Sequence, residues 1–471
     1  MRDMNKIRII TITMTAALLS SCGVYKNYER PSSITADGIY GDAQSGGEQE
    51  LGDLGWRQVF TDPTLQALIE QALAQNSNLR QADLRIQEAQ NNLKAAKLAF
   101  FPSLAFAPSG TISGAVDPYN RDEYKAVMGN GANKTYSFPL ALNWQIDCFG
   151  QLRNTKKGRE VAVENMKTVR QAVQTALVAN VASLYYTLSM LDRQLEIATE
   201  TTQKWKQTLE MTRHLMAAGM SNKAAVASTE ANYWSICTSS VEIEQNIREV
   251  ENALCTILGK TPQHISRAKF STFQTPAACT TGVPISILSR RPDVKQAELA
   301  LASAFYNKNI AKASFYPNLT LSANGAFANS ITGAGIVNPG GFVLAAVANL
   351  AQPIFQNGKI RAAYKNSQAE MEVATIGFQQ TLIEAGVEVN NAMASINTAK
   401  AKQQLLEKQV KSYEDAVDAN EKLYKESNST YLQILTAQSG LLQAQMGQVS
   451  NDFSIIQGTI DLYQALGGGG E

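Results

Sequence analysis

The chain contains few of the residues from which chemical centres are built. Among its 471 residues are two histidines and five cysteines, and the sequence has no Cys-X-X-Cys pair and no cysteine beside a histidine. A metal site of the Cys/His type is therefore not expected. The phosphate-binding loop, the Gly-X-Ser-X-Gly motif and the His-Glu-X-X-His motif are also absent, so no motif supports an enzyme or a bound cofactor.

An excess of charge of either sign is also lacking. The formal net charge is +1, and charged residues make up 18% of the chain. A protein that binds a polyanion needs a basic surface. Nucleic acid is therefore not an expected partner.

Proline, the strongest breaker of helices, is missing from two long stretches. All thirteen prolines lie at or before Pro353, and none lies between Pro139 and Pro262. Both stretches carry apolar residues at alternating steps of four and three, which predicts paired helices with coiled-coil seams. The predicted seams run over residues 177–209, 233–257, 406–420 and 435–463. Breaks at 218–221 and 426–429 make each stretch a helical hairpin, whose first arm would be about 100 Å long at 1.5 Å per residue.

The chain is also duplicated. Residues 78–106 match residues 293–321 without a gap at an offset of 215 residues, and from Gly150 onward the two halves match at an offset of 208. In each half a helical run ends at an aromatic pair, which a proline and an alternating strand follow. One structural unit has therefore been built twice.

Four candidate strands lie between the helical blocks, at about residues 102–113, 135–147, 317–328 and 341–355. Alternation of apolar with small or polar residues suits a sandwich or a membrane barrel with a wet interior. Single-chain membrane barrels have at least about eight strands, and an open edge in lipid leaves backbone groups unpaired. If these strands cross a bilayer, several copies of the chain must share one barrel.

The N-terminus predicts export and acylation. Three basic residues precede an apolar stretch that ends in the run LSSC at Cys22. We expect a signal peptide over residues 1–21 and lipidation of Cys22, the alternative being that Cys22 is an ordinary residue near a conventional cleavage site. Acyl chains would anchor the mature chain in a bilayer. Gly23, in place of the aspartate that often retains lipoproteins in the inner membrane, favours the outer membrane of a Gram-negative cell.

Taken together, these features resemble the outer-membrane efflux proteins, the TolC-like family, and within it the NodT-like lipoprotein branch. The resemblance covers residues 53–468 and is carried by FFPSL and FYPNL before the first strand of each half, WQIDCFGQLRN and QPIFQNGKIRA after the second, MAAGMSNKAAVASTEA and YKESNSTYLQILTAQSGLLQAQ at the hairpin turns, and LSRRPDVKQAE at the start of the second half.

The resemblance implies a mainly α protein with membrane β-structure. Each protomer of a homotrimer would give four strands to a shared twelve-stranded β-barrel, and its helical hairpins to a periplasmic α-helical barrel. The protein would be the passive exit duct of a tripartite pump, with a periplasmic adaptor protein and an inner-membrane transporter of the resistance-nodulation-division type as partners. It would have no catalytic activity and no cofactor.

The expected organisation follows from the repeats. Beyond the signal peptide it consists of a lipidated tether (22–60), a first repeat (61–259) with its helical hairpin over 150–258, an equatorial linker (260–290), and a second repeat (291–467) with its hairpin over 358–466.

The resemblance also assigns roles to residues. The adaptor-docking tips would be Gly219, Met220, Ser221, Asn222, Ser427, Asn428, Ser429 and Thr430. Gly219 also suits a helix C-terminus. Leu432, Gln433 and Thr436 would line the periplasmic aperture, where the family pattern YLDVLDAQ has acids at the positions of Gln433 and Thr436.

The missing acids predict a weaker block by multivalent cations, because amide and hydroxyl groups attract cations less than carboxylates do. Asp415 and Asp418 either restore negative charge there or form an exposed solvated pair. Arg290-Arg291-Pro292-Asp293 is favoured as a helix start over a docking site.

Two other functions remain open. The duct could serve type I protein secretion or metal efflux, or the chain could be a structural coiled-coil lipoprotein. The second of these does not explain strands at matching positions of both repeats.

Overall fold

The computed structural model describes residues 25–31, 55–113, 133–270, 291–332, 335–336, 341–425 and 431–468. The chain divides into two compact units. The first comprises Met1–Pro31, Ile86–Asn165 and Glu298–Ile376, and the second comprises Ser32–Arg85, Met166–Ala297 and Gly377–Glu471. Cys22 and the turn residues Ser427 to Thr430 lie outside the described residues.

The helices repeat in type and length. Three of them precede the first strands: α1 (Trp56–Val59), α2 (Pro63–Gln75) and α3 (Ser77–Leu98). They are followed in chain order by α4 (Gln151–Ala217), α5 (Lys223–Ile257), α6 (Pro292–Ala313), α7 (Lys359–Lys425) and α8 (Tyr431–Ala465). Helices α4 and α7 each have 67 residues, and α5 and α8 each have 35. Within the described part of the chain, no helix has the length and apolar character needed to cross a membrane.

The ordered body begins earlier than predicted. Trp56 forms part of α1 and is buried, and Phe60 packs edge-on against Tyr463 with ring centroids 5.6 Å apart. The predicted tether over 22–60 is therefore too long at its C-terminal end, because these aromatic side chains belong to the core. Asp62 caps α2 by accepting a hydrogen bond from the backbone N–H of Thr64 at 2.8 Å, and Pro63 lies in the first turn of the helix.

The first unit contains one antiparallel sheet. Its strands are β1 (Ser103–Phe106), β2 (Ser109–Ser113), β3 (Asn133–Ile146), β4 (Asn318–Thr332), β5 (Gly335–Ile336) and β6 (Gly341–Ala351). Strands β1 and β2 pair with β3, β3 pairs with β4, and β4 pairs with β5 and β6. The pairing of β3 with β4 joins the two halves of the duplicated chain.

The two strand hairpins have the same register. In the first half Ser103 pairs with Asn143, and in the second half Asn318 pairs with Ala351. Adding 215 to the first member and 208 to the second converts one pair into the other. The duplication seen in the sequence is thus also present in the backbone hydrogen-bonding pattern.

Three details of the predicted strands were wrong. The first predicted strand is broken between Phe106 and Ser109, because Pro108 has no N–H to give to the ladder. The fourth ends at Ala351 rather than at residue 355, and β5 was not predicted.

The core of the second unit lies between its long helices. Ala198, Trp205 and Ile236 form one buried cluster, and Val410, Val417, Ala437, Leu441 and Ala444 form another. Leu442 and Met446 of α8 were predicted to lie in the seam with α7, but they pack against the cluster around Trp205. Helix α8 buries two faces, so a single seam described only part of its contacts.

Candidate conduit, docking and junction sites

One face of the sheet is apolar and open. Residues that pair directly across an antiparallel ladder point to the same side, so Leu104, Phe106 and Leu140 share a face. These three side chains are exposed, as are Leu344 and Leu350 further across the same side. A large exposed apolar face marks a surface that meets lipid or protein.

The opposite face is polar. Ser103 pairs with Asn143, which pairs in turn with Ser322 of β4. The hydroxyl of Ser322 donates to Oδ1 of Asn143 at 2.9 Å. Strands β3 and β4 are therefore apolar on one side and hydrophilic on the other, as expected from the alternation in the sequence, whereas β6 places the exposed Val347 opposite Ser322 on the hydrophilic side.

The sheet is not closed within one chain. In the described sheet, β1 and β2 pair only with β3, and β6 pairs only with β4. Among the described strands, the outer edges of β1 and β6 therefore present backbone N–H and C=O groups that have no ladder partner. In lipid, each backbone polar group without a hydrogen-bond partner would cost about several kcal/mol.

The first predicted docking tip is an ordered turn. Gly219 ends α4 in the left-handed region with φ of 76°, and the N–H groups of Gly219 and Met220 donate to the carbonyls of Met216 and Leu215 at 3.0 and 2.9 Å. This is the Schellman pattern of helix ends. Asn222 then caps α5 by accepting a hydrogen bond from the N–H of Ala225 at 2.9 Å.

The side chain at the apex of this turn is Met220, which is 64% exposed. Met211 and Met216 at the end of α4 are exposed as well. Exposed methionines adapt their shape to a partner, so they suit a protein-binding surface. The second tip, residues 427–430, lies outside the described residues.

The three predicted aperture residues lie on the first turns of α8. Leu432, Gln433 and Thr436 are exposed in the single chain. The hydroxyl of Thr436 donates to the carbonyl of Leu432 at 2.7 Å, one turn earlier. Asp415 and Asp418, on the facing helix α7, each contact a lysine four residues away on the same helix, Lys411 and Lys422.

A buried polar group near this end of α8 was not predicted. Gln438 is buried, and its Nε2 lies 3.4 Å from Oγ1 of Thr208 in α4 and 3.4 Å from Oε1 of Glu421 in α7. Its Oε1 has no hydrogen-bond partner among the described residues. Gln438 therefore links three helices of the second unit just above the predicted aperture.

Two matching contacts lie at the other end of the hairpins. In the first half, Nδ2 of Asn76 donates to the carbonyl of Ile257 at 3.0 Å. In the second half, Nη1 of Arg291 donates to the carbonyl of Ala465 at 2.6 Å. Asn76 and Arg291 are equivalent at the offset of 215, and Ile257 and Ala465 are equivalent at 208.

Arg291 is a junction residue, and the helix start predicted at this point is confirmed by α6. The side chain of Arg291 is 5% exposed and forms ion pairs with Asp293 and Glu388, each with an N–O distance of 2.6 Å. Burial is the largest single influence and lowers the pKa of Arg291, but the two carboxylates together raise it by more. The net shift of the pKa is therefore upward, and the guanidinium stays charged. A buried arginine with several partners fixes the geometry where α6, α7 and α8 meet.

Another ionic junction holds the loop that follows α5. Arg267 donates to Asp192 in α4 through Nε and Nη2 at 2.6 and 2.7 Å, and to Glu251 in α5 at 2.5 Å. Burial is the largest single effect on the pKa of Glu251 and raises it, but the hydrogen bonds from Arg267 and from the N–H of Ile265 together outweigh burial. The net shift of this pKa is therefore downward. The described residues contain no group of three or more His, Cys, Asp or Glu side chains that could hold a metal ion.

Comparison with known proteins adds to this picture. The chain matches the family described as outer membrane efflux protein over residues 68–260 and 283–468. It is 26% identical over 479 residues to the toluene efflux pump outer membrane protein TtgC of Pseudomonas putida, covering 98% of this chain and 95% of that protein. It is 26% identical over 474 residues to the cation efflux system protein CusC of Escherichia coli K12, covering 96% of this chain and 98% of that protein. A solved structure of CusC matches with a TM-score of 0.81 at 24% identity, covering 95% of this chain and all of that chain (100%).

Proposed function

We propose that this chain, which belongs to the outer membrane efflux protein family, is a homotrimeric duct that works without catalysing a reaction. The chain is an efflux channel of the outer membrane. The observation that carries the oligomer is the open sheet: among the described strands, the outer edges of β1 and β6 have no ladder partner, and they flank an apolar face. Pairing the β1 and β2 edge of one copy with the β6 edge of the next removes both edges, and repetition of this contact closes a ring.

The number of copies is the point to test. With β1 and β2 counted as one broken strand and the two-residue β5 left out, each copy supplies four strands. Two copies would then give about eight strands and three copies about twelve, and both totals can close a membrane barrel. The family resemblance favours three. Native mass spectrometry of the detergent-purified protein should give three chains per particle, and unheated samples should migrate as a trimer on a denaturing gel. Two copies, or a monomer that stays soluble without detergent, would overturn the proposal.

We further propose that Cys22 is acylated and anchors the chain to the outer membrane. Support comes from the cleavage motif and from a relative called probable outer membrane lipoprotein SilC, of Salmonella typhimurium, which is 24% identical over 471 residues. Intact-mass measurement should show lipid mass on the mature chain, and Cys22→Ala should remove it. A mature chain that begins elsewhere or carries no lipid contradicts this part.

We also propose that the turn at Gly219 to Asn222 docks onto a periplasmic adaptor, together with residues 427–430, and that the adaptor joins the duct to an inner-membrane transporter of the resistance-nodulation-division type. The exposed thioether of Met220 is the central contact of the first turn. Met220→Glu should abolish co-purification with a periplasmic adaptor protein that the natural chain retains. Met211→Glu, which places the same charge on an exposed methionine about two turns before the tip, is the matched control. Equal loss in both variants would mean that the tip has no special role.

The aperture lined by Leu432, Gln433 and Thr436 is, in this proposal, uncharged. A ring of three carboxylates attracts trivalent cations strongly, whereas amide and hydroxyl groups do not. Asp415 and Asp418 contribute little, since each has a lysine partner on its own helix.

Conductance of the purified channel in a planar bilayer tests the aperture. Cobalt hexammine added from the periplasmic side should block the natural channel weakly, and Gln433→Asp combined with Thr436→Asp should create a strong block. Asp415→Asn with Asp418→Asn serves as the control and should leave the weak block unchanged. Strong block of the natural channel by cobalt hexammine would refute an uncharged aperture. If that strong block disappeared in the control variant, the negative charge responsible would be that of Asp415 and Asp418 on α7.

A further inference from the structure

Residues 25–31, named here the strap, lie against the first unit rather than extending away from it. We propose that the strap is a clamp that holds the lipidated N-terminus at the junction between β3 and α4. It thereby fixes where the anchor enters the lipid surface. The proposal rests on the acylation of Cys22 proposed above only for the identity of the anchor, and the docking of the strap is tested separately.

The aromatic residues of the strap provide its packing. Tyr25, Tyr28 and Pro31 are partly buried, while the four residues between them are exposed. A period of three is that of an extended polyproline-type chain, which presents every third side chain to the same surface. The ring of Tyr28 meets Phe305 of α6 edge-on, with centroids 5.8 Å apart.

Tyr25 packs against the junction itself. Gly150 stands between β3 and α4 with φ of 76°, and a Cβ added there would lie 3.0 Å from Cδ2 of Tyr25. The absence of a side chain at Gly150 therefore makes room for the tyrosine as well as allowing the turn. Burial, as the main cause, raises the pKa of both Tyr25 and Tyr28 to about 12, consistent with rings that are withdrawn from water.

Polar contacts hold the strap at two further points. Arg30 donates to both carboxylate oxygens of Glu298 in α6, through Nε at 2.8 Å and Nη2 at 2.5 Å. Nζ of Lys157 in α4 donates to Oδ1 of Asn27. The strap thus touches two helices through Asn27, Tyr28 and Arg30, and the bidentate geometry of Arg30 defines its register on α6.

Chain length then places the anchor. Cys22 precedes Tyr25 by three residues, and an extended chain spans at most about 3.6 Å per residue. Acyl chains on Cys22 must therefore begin within roughly 10 Å of Tyr25. Gly150 follows the last residue of β3, Ile146, by four positions, so the lipid anchor and the end of a membrane strand reach the membrane surface together.

Exposed apolar side chains at the same end of the sheet fit a lipid surface. Ile354 and Phe355 follow β6 and are 95% and 82% exposed, and Phe101 just before β1 is 66% exposed. The start of β1 and the end of β6 lie at the same end of the sheet as Ile146. The strap therefore delivers its anchor to the rim of the sheet that is built to meet the bilayer.

The experiment uses the full-length protein purified from outer membranes and measures tryptic cleavage after Lys26, which would release the peptide 22–26 with its lipid. Docking should protect this site. Arg30→Glu should accelerate cleavage by about threefold to tenfold, because charge repulsion replaces an ion pair. Glu298→Arg should do the same, and the double charge exchange should restore protection. Tyr28→Ala should accelerate cleavage independently of charge.

Arg159→Glu, an exposed charge reversal on α4 in the same unit, is the matched control and should change nothing. Equal cleavage rates in the natural chain, Arg30→Glu and Tyr28→Ala would overturn the docked strap, and so would a double exchange that fails to restore protection. Cys22→Ala separates the two proposals. It should remove the lipid from the released peptide while leaving the strap protected, so an unlipidated natural peptide would refute the acylation without affecting the docking.

Discussion

Two glycines of α8, seven residues apart, should differ in how their replacement by alanine changes the stability of the protein. A Cβ added to Gly440 would lie 2.3, 2.7 and 2.9 Å from three ring carbons of Tyr413 in α7. A Cβ added to Gly447 would meet nothing closer than Cδ2 of Leu406, at 4.0 Å. Both glycines lie well inside α8, so Gly440→Ala and Gly447→Ala differ mainly in the space beside them.

The expected energies follow from two effects. Replacing a glycine inside a helix by alanine favours the folded state by about 1 kcal/mol at either site. At Gly440 the added methyl group also pushes against Tyr413, which packs on the Val410 and Leu441 cluster, and overpacking of this kind costs about 1–3 kcal/mol. Gly447→Ala should therefore be stabilising by about 1 kcal/mol, and Gly440→Ala neutral or destabilising by up to about 2 kcal/mol.

Thermal unfolding of the purified protein in detergent, followed by helical circular dichroism, measures the difference. The midpoint should rise for Gly447→Ala and stay or fall for Gly440→Ala. Tyr413→Leu should relieve the contact, so that Gly440→Ala costs less in its presence than alone, which a double-mutant cycle detects. If Gly440→Ala raises the midpoint as much as Gly447→Ala, close approach of α7 and α8 at Tyr413 does not constrain the assembled protein.

Three further changes test the junctions and the buried acids. Arg291→Met should destabilise the protein by about 2–4 kcal/mol, because Glu388 and the backbone carbonyls of Ala385 and Ala465 lose a buried partner. Arg193→Met, which removes an exposed ion pair with Glu196, should cost less than about 0.5 kcal/mol, and equal unfolding midpoints for the two variants would contradict this. Asn76→Ala should cost about 1–2 kcal/mol, because the side chain caps the start of α3 and also binds a carbonyl of α5, and an unchanged unfolding midpoint would count against it. Burial raises the pKa of Asp452, so the folded state keeps this proton to higher pH than the unfolded state and stability falls as pH rises from the ordinary aspartate value through the raised one. Asp452→Asn should therefore stabilise the protein at pH 7.5 and lose that advantage as pH falls towards 4, and a constant difference in midpoint between these pH values would refute the assignment.

Local patterns were sufficient for the long helices. The missing prolines and the heptads placed the end of the first arm at about Ala217, and α4 ends there. Alternation also identified the two-sided character of β3 and β4. These features depend on neighbours in sequence, which is why they could be predicted.

Contacts between distant segments were not accessible in the same way. Glutamine is usually exposed to solvent, and only the position of Gln438 between Thr208 and Glu421 in the structure shows that it is buried. The contact from Arg291 to Ala465 spans 174 residues. The duplication alone does not reveal this contact, because the matching contact between Asn76 and Ile257 also joins distant segments.

Comparison of the halves shows what the duplication preserves. Nε1 of Trp144 donates to the carbonyl of Phe100 at 2.8 Å, and Nε2 of Gln352 donates to the carbonyl of Phe315 at 3.0 Å. Each pair lies at the same two offsets, and each joins the end of a strand pair to the turn after a helix. The residue types differ, yet both supply an N–H donor to the same carbonyl. What is retained is therefore the geometry of the contact and not the chemistry of the side chain.

The positions at which the halves diverge are consequently informative. Asp147 caps α4 by accepting hydrogen bonds from the N–H groups of Leu152 and Arg153 at 3.0 and 2.9 Å. Its counterpart at the offset of 208 is Phe355, an exposed apolar residue. One repeat thus uses this position to hold its helix beside the strap, and the other presents a hydrophobic side chain at the same end of the sheet. In the proposed ring of identical copies, polar and apolar positions would alternate around the rim, so each proposed lipid anchor would lie between apolar contacts with the bilayer.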